Sequence, residues 1–149
     1  MKLRYKFFLM AALVTLLTGC GKNDEPSPIA PIAGQWQLTA WAANSEFPKG
    51  VYLEIQPDYT FNLYQDLAGQ GYQKLTGTFT YDLTTQLITG VYTDGTAWLG
   101  SYTISEITAT TMKWKLGSTT EVSTYTRTVI SETITNQTRA TTTPDTRFL

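Results

Sequence analysis

The chain has 149 residues, of which 11 are basic, 12 are acidic and none is histidine, so the formal net charge is −1. The absence of histidine removes the commonest general base and the commonest zinc ligand. Threonine and tyrosine are abundant whereas lysine and glutamate are sparse, and this composition predicts a protein built almost entirely of strands.

Residues 1–19 have the pattern of a cleaved export signal. The segment opens with three basic residues, Lys2, Arg4 and Lys6. The uncharged apolar run that follows, over 7–17, is too short for a transmembrane helix, which needs about 20 residues. Small residues and the only cysteine of the chain then close the segment at Gly19 and Cys20.

The four residues around the end of this signal, Leu17-Thr18-Gly19-Cys20, resemble the lipobox of bacterial lipoproteins. The resemblance implies that a diacylglyceryl group is attached to the thiol of Cys20, that the signal is cut between Gly19 and Cys20, and that the new amine is acylated. Several fatty acyl chains of the palmitate kind on one residue would anchor the mature chain in a membrane. The alternative is an ordinary secretory signal with a cysteine beside it by chance.

The residues after Cys20 carry a second signal. One lysine and two acids within 21–25 resemble the tag that sends lipoproteins of Bacteroidota to the outer face of the outer membrane, although a plain solvated tether would also be polar. Three prolines, within 26–31, predict an extended stalk. We therefore expect a tether over 20–32 and an outer-membrane lipoprotein displayed at the cell surface.

The charge of the mature chain bears on its partners. Residues 20–149 would carry 8 basic and 12 acidic residues, a net charge of −4. This balance argues against nucleic acid and against electrostatic binding to anionic lipid. Lipidation of Cys20 would also leave no free thiol, so neither a disulfide nor a thiol nucleophile is expected.

The carboxylates show no pairing suited to catalysis. Most of them flank predicted turns, where aspartate is favoured for backbone reasons, or stand alone on or beside strands. They are Asp58, Asp66, Asp82, Asp94, Glu54, Glu106 and Glu121. We therefore expect no enzyme activity, no metal, and no cofactor other than the lipid on Cys20.

Eight short runs have strand character and are separated by turn signals, of which Asp94-Gly95 is a strong hairpin signal. The runs are 35–43, 51–56, 59–66, 72–82, 87–93, 97–105, 107–116 and 121–130. Apolar and polar residues alternate within them, which predicts one face in a core and one in water.

Hairpin-length links between the runs favour an antiparallel meander, and eight strands can close into an up-and-down barrel. A β-sandwich is the alternative, since the same strand spacing would serve it. The barrel domain is expected over 33–130. Residues 131–149 are rich in threonine, and we expect either a continuation of the last strand, over 131–138, or a loose tail. Phe148 and Leu149 are expected to fray, with docking on the domain as the alternative.

Four motifs follow one another along the chain: the opening Gly34-Gln35-Trp36, the turn Pro57-Asp58-Tyr59-Thr60-Phe61, the run Gly77-Thr78-Phe79-Thr80-Tyr81 and the closing Tyr125-Thr126-Arg127. In this order they resemble the lipocalin superfamily. More narrowly, they resemble the lipocalin-like lipoproteins of Bacteroidota. The resemblance implies an eight-stranded barrel whose one end is closed by Gly34, Trp36 and Arg127, with the guanidinium over the indole. The chain departs from typical lipocalins in lacking paired cysteines and a clear C-terminal helix.

Two binding functions remain open at this point, besides an enzyme activity that no motif in the sequence reveals. In the first, the barrel holds a small hydrophobic or amphipathic ligand, and alternation alone gives the candidate lining: Leu53, Ile55, Phe61, Leu63, Phe79, Tyr81, Trp98, Tyr102, Met112 and Trp114. In the second, side chains fill the barrel, as is common with eight strands, and its outer surface binds a protein or glycan. Tyr52 and Tyr64, opposite the aliphatic faces of their strands, are then expected to be exposed as a contact patch.

Overall fold

The computed structural model describes residues 27–41, 48–136, 138 and 146–149. The export signal, Cys20 and the tether before residue 27 therefore lie outside the described residues. In the ranges that are described, eight strands precede one short helix, and no helix there is long and apolar enough to cross a membrane. The elements are β1 (Gly34–Trp41), β2 (Val51–Ile55), β3 (Thr60–Gln65), β4 (Gln73–Asp82), β5 (Leu87–Tyr92), β6 (Tyr102–Ser105), β7 (Thr111–Leu116), β8 (Val122–Arg127) and α1 (Glu132–Asn136).

The eight strands form one closed antiparallel barrel in sequence order. Each strand pairs with the next, and β8 pairs with β1, so that Trp36 lies opposite Arg127. Closure leaves no strand at an unpaired edge. The expectation of a barrel is confirmed, and the sandwich alternative is excluded.

Alternation of side chains builds the barrel wall. In β2, Val51, Leu53 and Ile55 are buried, while the two residues between them are only partly so. On the outer face, threonines from neighbouring strands meet, and the hydroxyls of Thr76 and Thr93 are 2.8 Å apart. The period of two that the sequence shows therefore separates a hydrophobic interior from a hydroxyl-rich surface.

The sixth strand is shorter than the sequence predicts. A strand is expected from residue 97, but β6 begins at Tyr102. The preceding residues form a loop that returns to β5, where the N–H of Trp98 donates to the carbonyl of Gly90 at 2.9 Å. A Cβ at Gly90 would overlap the Trp98 ring, so glycine here admits a tryptophan into the barrel from a loop.

Two further boundaries differ from the prediction. The seventh strand begins at Thr111 rather than 107, because Thr108 turns the chain and its hydroxyl accepts the N–H of Thr111 at 2.8 Å. After β8 the expected strand continuation over 131–138 is wrong, since Glu132–Asn136 is helical. The N–H of Ile134 donates to the carbonyl of Ser131 at 2.9 Å, which begins this turn of helix.

The end of the barrel at which β1 begins, here called the closed end, is covered by a local segment. Residues 28–32 form turns, and the side chains of Ile29 and Ile32 are fully buried in the core. The expected extended tether is therefore wrong for this part of 20–32, because two isoleucines three residues apart turn the chain onto the barrel. The indole N–H of Trp36 donates to the carbonyl of Ile32 at 2.8 Å and fixes that turn.

Arg127 fastens the closed end from outside. Its guanidinium carbon lies 4.1 Å from the centroid of the Trp36 ring. Its nitrogens donate to the carbonyls of Ala109 at 2.8 Å and Ala33 at 2.9 Å. Gly34 has φ 131°, and a Cβ there would overlap the guanidinium. One arginine thus joins the first strand, the last strand and the β6–β7 turn.

Replacing Arg127 with Ala is expected to lower the free energy of unfolding by about 1–2 kcal/mol, because carbonyls at the closed end lose charge-assisted hydrogen bonds and Trp36 loses its cation. Denaturant unfolding followed by tryptophan fluorescence measures the change. Lys115→Ala, at an exposed position of β7, is the matched control and should change the stability by less than about 0.5 kcal/mol. Equal losses in the two variants would contradict the role of Arg127.

Candidate functional site at the open end of the barrel

Nine of the ten candidate lining residues lie inside the barrel and are buried. The tenth, Tyr81, is partly buried and packs against the same hydrophobic core. These side chains contact one another as a continuous core. The nine are Leu53, Ile55, Phe61, Leu63, Phe79, Trp98, Tyr102, Met112 and Trp114.

Aromatic rings run through this interior. The ring centroids of Phe61 and Trp98 are 5.0 Å apart, those of Trp98 and Trp114 are 5.9 Å apart, and those of Trp114 and Tyr125 are 5.2 Å apart. Tyr102 contacts both tryptophans of this series. Aromatic rings prefer such tilted and edge-to-face contacts. The series therefore forms a closely packed, strongly apolar interior.

Two polar atoms of this aromatic interior have no hydrogen-bond partner among the described residues: the indole N–H of Trp98 and the hydroxyl of Tyr125. Tyr125 is fully buried, and burial raises the pKa of its hydroxyl well above the ordinary value, with Tyr102 and Tyr92 adding to the shift. A buried donor left unpaired costs about 1–3 kcal/mol. These two donors therefore mark a place where a hydrogen-bond acceptor would be stabilised.

The opposite end of the barrel, here called the open end, contains a segment that belongs to none of the strands. Residues 146–149 lie across it, and Leu149 is only 1% exposed within the hydrophobic core. The ring of Phe148 packs edge-on against Trp41, with centroids 5.7 Å apart. A cavity of about 40 Å³ adjoins Phe148, and Tyr102 and Leu116 are among its lining residues. The frayed end expected for Phe148 and Leu149 is wrong, because both side chains find apolar surface here.

The main chain of this segment is held by a buried amide. Gln65, the last residue of β3, is 2% exposed. Its side-chain N–H donates to the carbonyl of Thr146 at 2.8 Å, and its side-chain oxygen accepts the N–H of Phe148 at 3.0 Å. Deeper in the barrel, the hydroxyl of Tyr92 donates to the main-chain oxygen of Leu149 at 2.9 Å.

A basic side chain is held at the rim of the open end. Arg147 forms a two-pronged ion pair with Asp94, and one N–O distance is 3.1 Å. Its guanidinium carbon also lies 4.4 Å from the centroid of the Tyr92 ring. The hydrogen bond from Arg147 lowers the pKa of the Asp94 carboxyl, and burial raises the pKa of Tyr92.

Comparison with known proteins agrees with this architecture: residues 32–114 match the model of the family described as a lipocalin-like domain. The chain belongs to this family. Two solved structures share the fold of this lipocalin-like domain, while no curated protein matches the chain. A lipocalin-like protein from Bacteroides uniformis ATCC 8492 has 13% identity and a TM-score of 0.55, over 66% of this chain and 99% of its own. An uncharacterized protein from Bacteroides eggerthii DSM 20697 has 11% identity and a TM-score of 0.50, over 64% and 98%.

The outer tyrosines of this lipocalin-like domain differ from the expected exposed patch. Tyr64 is buried rather than exposed, and the ammonium of Lys74 on the neighbouring strand lies 5.6 Å from its ring centroid. Tyr52 is half-buried and packs against Tyr72, with centroids 5.9 Å apart. These two tyrosines therefore serve cross-strand packing.

The sequence interpretation missed the residues that hold the terminal segment. Gln65 carries no motif, and its role depends on a segment about 80 positions away that only the closed barrel brings to it. The apolar pair Phe148 and Leu149 after a polar stretch was the available signal. In the described part of the chain, no three His, Cys, Asp or Glu side chains gather in a way that could hold a metal ion.

Tyr125→Phe is expected to leave the free energy of unfolding unchanged or to raise it by about 1 kcal/mol, because the variant deletes a buried hydroxyl without a partner. Tyr92→Phe is the matched comparison and should lower it by about 1 kcal/mol, since that hydroxyl donates to Leu149. Chemical denaturation of both variants measures the difference. A loss in Tyr125→Phe as large as in Tyr92→Phe would show that the Tyr125 hydroxyl is paired.

Alkaline pH is expected to weaken the fold. Burial raises the pKa of Tyr102 to about 12 and raises those of Tyr92 and Tyr125 as well, from an ordinary value of 10.0. Unfolded tyrosines lose their protons first, so the contribution of these tyrosines to stability should be constant below about pH 10. It should fall between pH 10 and 12, by up to about 1.4 kcal/mol per pH unit for each tyrosine. Denaturant titrations at stepped pH measure this decline. Tyr102→Phe should show a shallower decline, and an unchanged slope would contradict the assignment.

Proposed function

We propose that this protein is a lipid-anchored lipoprotein of the outer membrane whose barrel binds a small hydrophobic or amphipathic ligand at its open end. One observation carries the proposal: residues 148–149 are not part of the barrel wall, yet Leu149 is buried in the core at that end and Phe148 packs, partly buried, against Trp41. The wall alone therefore leaves room there for an apolar guest.

The surroundings of this guest are those of a small-molecule site. Such sites are mostly apolar, with a few polar groups that fix orientation. Trp41, Tyr102 and Leu116 supply apolar surface beside Phe148, and Gln65 and Tyr92 supply the polar contacts.

The unpaired donors favour an amphipathic guest. The hydroxyl of Tyr125 and the indole N–H of Trp98 are unpaired, and a ligand that brings an acceptor to either of them would gain a hydrogen bond. A purely hydrocarbon ligand would leave both donors as they are. An amphipathic ligand is therefore the better match to the interior.

The anchor and the lack of catalysis rest on the sequence. The lipobox-like residues 17–20, with Cys20 as the site of lipidation, would hold the barrel at the outer membrane, where amphipathic molecules are concentrated. A chain without histidine and without paired acids has few means of acid–base chemistry. Binding rather than catalysis is the role we propose.

A second function is favoured by a different observation, a groove of about 440 Å³ on the outer face of β3, β4 and β5. Five of its lining residues are polar: Thr60, Asn62, Thr76, Thr78 and Thr93. Hydroxyls and an amide in a row suit the hydroxyl groups of a glycan, so the barrel would act as an interaction module at the cell surface. Titration with oligosaccharides, with and without Thr76→Arg, tests this alternative.

The ligand proposal is tested by opening the site. Leu149→Asp places a charge at a buried position, so the terminal segment should leave the barrel. The fluorescent fatty acid cis-parinaric acid is then expected to bind one per chain and at least 10-fold tighter than to the unchanged protein. Val129→Asp, at a position 86% exposed near the closed end, is the matched control and should behave as the unchanged protein.

Circular dichroism establishes that both variants remain folded. Native mass spectrometry of the same samples gives the stoichiometry and reveals any ligand carried from the cell. The ligand proposal is wrong if the folded Leu149→Asp variant binds neither cis-parinaric acid, nor a co-purified molecule, nor the peptide Thr-Arg-Phe-Leu.

A further inference from the structure

The way in which residues 146–149 are held shows what kind of molecule the open end accepts. Both hydrogen bonds between the Gln65 side chain and residues 146–149 involve the main chain of the segment: the amide donates to a carbonyl and accepts from an N–H two residues later. This is the pairing that a neighbouring strand would offer to an extended peptide. A lipid has no such alternation of acceptor and donor.

Burial makes this pairing selective. Because Gln65 is 2% exposed, its amide has no access to water once a guest covers the open end. A hydrocarbon chain in place of the segment would leave both the N–H and the oxygen of the amide unpaired, at a cost of about 1–3 kcal/mol each. A peptide main chain satisfies both groups, so Gln65 favours a peptide over a fatty acid.

The side chains of the segment define three subsites. At the rim, Asp94 and the ring of Tyr92 together hold the guanidinium of Arg147. Trp41 receives the aromatic ring of Phe148, and the core receives the aliphatic Leu149. The order along the guest is therefore basic, aromatic, aliphatic.

The terminal segment does not use every contact that the interior offers. With Leu149 in place, the hydroxyl of Tyr125 still has no partner among the described residues, although its electrostatic neighbours Tyr92 and Tyr102 lie at the same end of the barrel. A guest that brings an acceptor to this hydroxyl would pair it. Such a guest would make a hydrogen bond that residues 146–149 do not make.

We infer that the ligand of the open end is an extended peptide from another protein with the order basic–aromatic–aliphatic, and that residues 146–149 occupy the site as a tethered competitor. The inference rests on the ligand-binding role proposed above and names the ligand class. A tethered segment acts at an effective concentration on the order of millimolar. A free peptide must therefore outcompete it, or bind when the segment is displaced.

The test uses the full chain with Leu149→Asp, and fluorescence anisotropy of a labelled peptide of sequence Thr-Arg-Phe-Leu. This peptide is expected to bind at least 10-fold tighter to Leu149→Asp than to the unchanged chain, where the tethered segment competes. Combining Leu149→Asp with Gln65→Leu should lower the ratio of peptide affinity to cis-parinaric acid affinity at least 10-fold, because the main-chain contacts are lost.

A charge exchange identifies the rim subsite. In the Leu149→Asp background, Asp94→Lys should weaken the binding of Thr-Arg-Phe-Leu about 10-fold. The same substitution should strengthen the binding of the charge-exchanged peptide Thr-Glu-Phe-Leu. Asp82→Lys is the matched control, since Asp82 also caps a turn, through the N–H of Thr84, but lies at the closed end. It should change neither peptide affinity.

Each outcome decides something. Peptide binding with rescue by the charge exchange supports the inference. Binding of cis-parinaric acid without binding of Thr-Arg-Phe-Leu overturns the peptide class but leaves the proposed function standing. A peptide affinity that is unchanged by both Gln65→Leu and Asp94→Lys overturns the assignment of the site. Binding of neither probe to the folded Leu149→Asp variant overturns the inference and the ligand proposal together.

Discussion

Eight strands enclose a space just wide enough for side chains to fill, and the arrangement of this protein follows from that limit. Large aromatic side chains fit only where the wall itself makes room. Gly90 on β5 provides such room for Trp98, and Gly77 on β4 does the same for Phe61, since a Cβ at either position would overlap the ring it faces. Where the wall supplies too little apolar bulk, at the open end, Leu149 completes the core.

The two ends of the barrel are closed by different means. At the closed end, the covering turn is adjacent in sequence to β1, and Arg127 ties it to the last strand. At the open end, the covering segment comes from far along the chain and is held by one amide, one hydroxyl and one surface ion pair. The carboxylate of Asp94 in this ion pair is exposed, so this part of the contact weakens as the salt concentration rises.

The sequence predicted the parts of this fold that depend on local pattern. Alternation placed eight strands and turned the correct residues inward, as Leu53, Phe61 and Trp114 show. It failed where a distant contact decides the outcome. Alternation predicts a strand over 97–105, but Trp98 lies in a loop and its ring occupies the space beside Gly90. Gln65 and the terminal segment meet only after closure, so no local pattern could pair them.

The outer surface shows the same limit of local reasoning. Tyr64 lies on the face of β3 opposite Phe61 and Leu63, so alternation predicts that it points outward and is exposed. The side chain is nevertheless buried, and Lys74 of the adjacent strand lies beside its ring. Direction can be read from alternation, whereas burial depends on the length of the neighbours across the ladder.

The pairing of β1 with β8 has a consequence for how the chain reaches its folded state. This pairing joins Gln37 to Thr126, and without it the sheet has two open edges and no enclosed core. Contacts so distant in sequence form late and slow the folding reaction. A chain that crosses a membrane unfolded, as the proposed export requires, is thus kept from closing until nearly its whole length has emerged.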